Sequence, residues 1–142
     1  METIKLYELA ERKGIKVDRF PLPQTGSVCL KLDSGMFIAL DEKPTTHAEE
    51  RVRLAHELGH CETLAFYNVR SGAEIRGKNE TKAEKWAIKT LIPEEKYIEA
   101  LEEGYTDIHS LAEYFDVTEE FMVKVAQFYC ERISRSIFAN KN

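Results

Sequence analysis

No stretch of this chain stays apolar for the roughly 20 residues that a bilayer-spanning helix needs, which excludes a transmembrane helix. Cysteine is scarce: Cys29, Cys61 and Cys130 are widely spaced and odd in number, which argues against a disulfide framework and fits reduced thiols. Neither sign of charge dominates. A net charge of −5, carried by well-mixed acidic and basic residues, is not the basic footprint that binding to phosphates requires. No internal repeat or low-complexity segment interrupts the sequence. The opening Met1-Glu2-Thr3-Ile4-Lys5 lacks the basic-then-apolar order of a signal peptide. The expectation is a cytoplasmic protein with no membrane partner and no direct binding of nucleic acid.

What is present describes one ordinary domain. With 142 residues, 43% hydrophobic and 32% charged, the chain is long enough for a single core and short for two. Ile4, Leu6, Tyr7, Leu9 and Ala10 fall at helical spacing, and Gly14 stands where a C-terminal cap belongs. The runs Val28 to Leu32 and Met36 to Leu40 flank Asp33-Ser34-Gly35 as a hairpin, and Ile15, Val17 and Phe20 precede a Pro21-Leu22-Pro23 turn. These predict a small sheet of about three strands, mostly antiparallel. The remainder is helical: a long helix opened by a Thr46/Glu49 capping box, a loop over 66–79, a helix from Glu80 to Ile92, and shorter helices over 94–102, 107–115 and 118–133. The predicted class is α+β, a mainly helical single domain over 1–142. Its parts are an N-terminal helix and small sheet (1–45), a helical core (46–103) and a C-terminal helical pair with a tail (104–142).

The helix opened by Thr46 carries His56-Glu57-Leu58-Gly59-His60, the pattern H-E-x-x-H. Residues four apart share a helix face, so the two imidazoles converge on one metal ion while the Glu57 carboxylate reaches a water bound to it. Such a short pattern arises by chance, and two helical histidines are often ordinary surface or core residues. The capped amphipathic helix, the small Ala55 and Gly59 beside the motif and a downstream carboxylate favour the metal. A catalytic zinc takes three protein ligands and keeps one position for water. The segment after His60 is long enough to leave one helix and return alongside it on a second, which makes Glu80 the candidate third ligand. Glu84, one turn further on, is placed to hydrogen-bond a ligand histidine. Glu62 points to the wrong side of its helix; Glu74 remains a rival from the loop. The bland reading of Glu80 is a charge at a helix N-terminus. Cys61, about 100° round the helix from His60, reads as a packing residue. Tyr67, Arg70, His47 and His109 are candidates to stabilise an oxyanion, and the sequence does not choose among them.

Two stretches, Leu54-Ala55-His56-Glu57-Leu58-Gly59-His60-Cys61 and Glu80-Thr81-Lys82-Ala83-Glu84-Lys85-Trp86-Ala87 through Leu91-Ile92-Pro93, resemble the ImmA/IrrE family of metallopeptidases over roughly residues 46 to 96. The second is similar to the family's E-x-x-A-(N/D)-x-(F/W)-A followed by L-(M/I)-P, with Glu84 where the family usually has Asn or Asp. The resemblance implies a gluzincin-like zinc endopeptidase, with Zn2+ on His56, His60 and Glu80 and with Glu57 as general base. It further implies a protein substrate, a co-encoded helix-turn-helix repressor of a phage, mobile element or stress response. The alternative is a DNA-binding or protein-binding regulatory module on the same fold without proteolysis, suggested by the helical pair around Leu111 to Thr118. Charge argues against DNA there: Asp107, Glu113, Asp116, Glu119, Glu120 and Glu131 outnumber Lys124, Arg132 and Arg135.

Overall fold

The computed structural model describes residues 1–43, 45–64, 66 and 71–140, with the side chains of 138–140 excepted. Six helices and three strands occur among them in the order α1 (Thr3–Arg12), β1 (Lys16–Phe20), β2 (Ser27–Leu32), β3 (Gly35–Asp41), α2 (His47–Thr63), α3 (Ala73–Leu91), α4 (Glu94–Glu102), α5 (Ile108–Phe115) and α6 (Glu119–Asn140). The fold is α+β. None of these helices is long and apolar enough to cross a membrane. The chain gathers into two compact units, Met1–Leu91 and Ile92–Asn142.

In the first unit the sheet order is β1-β3-β2. Strands β2 and β3 form the expected antiparallel hairpin, closed by the two residues Asp33-Ser34 between the paired Leu32 and Gly35. Strand β1 pairs with β3 in parallel, so the sheet is mixed where mostly antiparallel pairing was expected. The reason lies in the connection after β1, which crosses to the far edge before β2 begins and leaves the middle position to β3. Asp41, at the end of β3, fastens that crossing: its Oδ1 accepts from Leu22 N–H at 3.1 Å and its own N–H donates to Gly26 O at 2.8 Å.

Side chains alternate across a strand, so Ser27 and Cys29 share one face of β2, and Ile38 and Leu40 share the same face of β3. That face lies on α2. Helix α2 begins as its capping residue dictates, with Thr46 Oγ1 accepting from Glu49 N–H at 3.1 Å, and ends at Leu64 in the left-handed conformation, φ 54°. Leu54, Ala55 and Leu58 are fully buried along it. Helix α1 joins through Leu6 and Ala10, and Tyr7 donates its hydroxyl proton to Glu50, which also pairs with Arg19 at 3.1 Å.

Helix α3 departs from the sequence reading. It starts at Ala73, so the second half of the expected 66–79 loop is helical, and Glu80 lies mid-helix instead of at an N-terminus. Gly77, taken as a loop signal, is tolerated in the helix interior, where glycine costs about 1 kcal/mol relative to alanine.

The second unit packs around Ile92, Ala100, Leu111, Met122, Val125 and Tyr129, with the Tyr129 hydroxyl donating to Ile92 O at 2.5 Å and its ring stacked on Tyr97. Asp107 caps α5 through Ser110 N–H, and Asp116 takes a left-handed φ of 54° in the turn to α6. Helix α6 runs on to Asn140, beyond the expected end near residue 133.

Candidate metal centre

The centre is built where α2 and α3 come closest. Gly59 makes the approach possible: a Cβ there would stand 2.4 Å from the carbonyl oxygen of Ala83, inside any real contact distance. The backbones of the two helices therefore touch, and Glu80, one turn before Ala83, is carried over the histidine face of α2. His56 Nε2 lies 2.8 Å from Glu80 Oε2 and His60 Nε2 lies 3.0 Å from Glu80 Oε1. The two imidazole rings stand edge to face, their centroids 4.9 Å apart.

All three side chains offer a ligand atom within 4.8 Å of one another. A tetrahedral ion with bonds of about 2.0–2.1 Å sets its donors roughly 3.3 Å apart, so this group needs only a small opening to hold a divalent cation. Two imidazole nitrogens and one carboxylate are also the donor set that such ions take in hydrolases. The residues fit a metal.

Glu57 sits beside this group at 6% exposure. Burial holds its carboxyl above the usual range, against the pull of His56, His60 and the Ser27 hydroxyl. Ser27 Oγ donates to Glu57 Oε1 at 3.2 Å and fixes the plane of the carboxylate. Ser27 was not foreseen, since nothing in the sequence links the first residue of a strand to a helix thirty positions away. Gly26 prepares its position with a φ of 74°, turning the chain into β2 under the Arg53 guanidinium.

A second pair was also missed. Cys29 Sγ on β2 and Cys61 Sγ on α2 are 2.9 Å apart, so Cys61 is more than the packing residue its helix position suggested. Their hydrogen bond is the main influence on both thiols, pushing Cys29 up and drawing Cys61 down.

Glu84 is half-buried one turn beyond Glu80 on α3. Glu74 is in the first turn of α3, strongly exposed and paired with Lys78 at 3.7 Å. Glu62 pairs with Lys13 at 3.9 Å. His47 is the first residue of α2, nine residues and so about 13 Å along the axis from His56. His109 belongs to the second unit, between Glu113 at 3.2 Å and Glu119 at 2.7 Å. Tyr67 and Arg70 lie outside the described residues.

Residues 10–126 match the model of the peptidase M78 family, described as the IrrE N-terminal-like domain. No curated protein gives a significant match. Among solved structures, a Mycobacterium tuberculosis transcriptional regulator is similar at a TM-score of 0.63 and 22% identity, over 86% of this chain and 40% of that one. That degree of identity speaks to the fold alone, and this chain spans less than half the length of that protein.

Proposed function

This chain belongs to the peptidase M78 family of IrrE N-terminal-like domains, and from that premise we propose that it is a zinc-dependent endopeptidase acting on a helix-turn-helix repressor. The observation that carries the reading is a buried carboxylate, Glu57, set against the His56, His60 and Glu80 donor group. A metal that only held the fold together would have no use for a base beside it.

Zinc on these three residues would supply a Lewis acid for the peptide carbonyl and a water whose pKa falls to about 7. Glu57 is the residue that would hold the proton of an attacking water and release it to the leaving amine. Ser27 keeps the Glu57 carboxylate in one orientation through its hydrogen bond. His56 and His60, four apart on a buried helix, keep their spacing without help from a mobile segment.

The substrate follows from the family resemblance and from charge. A protein with net charge −5 suits a basic, DNA-binding partner better than an acidic one. The runner-up is a regulatory module that binds protein or DNA on this fold without cutting. Zinc-loaded protein and the Glu57→Gln variant, compared on a peptide substrate, separate the two: hydrolysis should be confined to the wild type while both bind zinc equally. Equal hydrolysis by both would end the mechanism, and none by either would favour the regulatory module.

A further inference from the structure

Two cysteines the catalytic reading does not use face each other across the β2–α2 contact. Cys29 is half-buried, Cys61 is 4% exposed, and their sulfurs are 2.9 Å apart. The third cysteine, Cys130, is exposed in the second unit. A disulfide needs a sulfur separation of about 2.05 Å, so closing this pair takes a shift of roughly 0.9 Å.

The placement is not a single accidental contact, because two neighbouring contacts run in step. Ser27 and Cys29 are two residues apart on β2, about 6.6 Å along a strand. Their partners Glu57 and Cys61 are four apart on α2, about 6.0 Å along a helix. The same strand face therefore meets the same helix face at both points, with little mismatch to absorb. We propose that Cys29 and Cys61 form a reversible disulfide on exposure to a two-electron oxidant such as hydrogen peroxide, stapling the edge strand β2 to the helix that carries His56, Glu57 and His60.

The chemistry balances within the pair. One sulfur attacks a peroxide oxygen, the O–O bond breaks, and a sulfenic acid forms with release of water. The second sulfur then attacks the first, the S–O bond breaks, and a second water leaves. Two thiols and one peroxide give one disulfide and two waters, and a dithiol reductant reverses the change. The staple holds the strand register that sets Ser27 on Glu57, and it keeps Cys61, next to His60, from further oxidation.

The test uses the full-length protein, reduced, freed of reductant, treated with stoichiometric hydrogen peroxide and then alkylated. The intact monomer should lose two hydrogens, Cys130 should be alkylated, and a proteolytic digest should yield Cys29 and Cys61 peptides joined until reductant is added. Amide hydrogen exchange along β2 should slow in the oxidised form and recover on reduction. Cys130→Ser should behave as the wild type, and Cys29→Ser should give no linked monomer. Alkylation of both Cys29 and Cys61 after peroxide, oxidation of Cys61 to the sulfinic acid in the unsubstituted chain, or β2 exchange that ignores the treatment would overturn the proposal. These readouts do not depend on whether the protein cleaves a peptide, so the peptidase reading can fail without affecting them.

Discussion

Glu57 and Glu80 are both glutamates near the same two histidines, yet their positions give them different work. Glu80 touches both imidazoles and Glu57 touches Ser27, so one substitution should remove the metal and the other should not. Purified protein is expected to carry about one zinc per chain. Glu80→Ala should lose most of it by elemental analysis, while Glu74→Ala, on an exposed pair with Lys78, should keep it. The opposite pattern would assign the ligand to Glu74. Removing the Ser27 hydroxyl should leave zinc content unchanged and lower the hydrolysis rate, since only the orientation of the base is disturbed. His56, Glu57 and His60 were legible because helical periodicity alone puts them on one turn. Ser27 and Cys29 were not, because their partners are fixed by how a strand lies on a helix, which no local pattern encodes.

Among the elements, the contact between α2 and α3 decides whether a site exists. The small Gly59 beside the motif was readable in the sequence, and the structure puts the Ala83 backbone against it. Gly59→Ala should push α3 outward, at a cost of about 1–3 kcal/mol by overpacking, and should weaken zinc binding along with the thermal midpoint. Unchanged affinity would mean that Glu80 does not depend on this contact. The extent of α3 was misjudged because Gly72, Gly77 and Asn79 are turn formers in isolation; here Asn79 instead donates its side-chain amide to Phe66 O at 2.7 Å. The parallel β1–β3 pair was equally hidden, since strand order follows from a crossing fastened by Asp41 and not from the strands' own composition. The contact between the first turns of α5 and α6 carries its own pH dependence. Hydrogen bonding to Glu119, with Glu113 beside it, raises the His109 pKa above its ordinary value near 6.5. Its contribution to stability is therefore complete below that value and lost as pH rises through the raised one. An NMR titration of the His109 ring should give a midpoint above 6.5, and Glu119→Gln should bring it down.

Across the chain as a whole, the proposed function joins a donor group that fits a metal to a chain of net charge −5. Binding to a helix-turn-helix repressor should then weaken as salt rises, because exposed charges are screened beyond about 10 Å at 0.1 M. The family was readable from two short stretches on α2 and α3, and the match over residues 10–126 bears it out. The substrate was not readable, because charge complementarity names a class of partner and not an individual. The most direct measurement is mass spectrometry of a purified co-encoded repressor after incubation with zinc-loaded wild type, and in parallel with Glu57→Gln. The wild type should produce two fragments from one or a few sites, and the variant should retain the repressor uncut in a salt-sensitive complex. An intact repressor after wild-type treatment, or the same fragments from both proteins, would contradict a peptidase centred on Glu57.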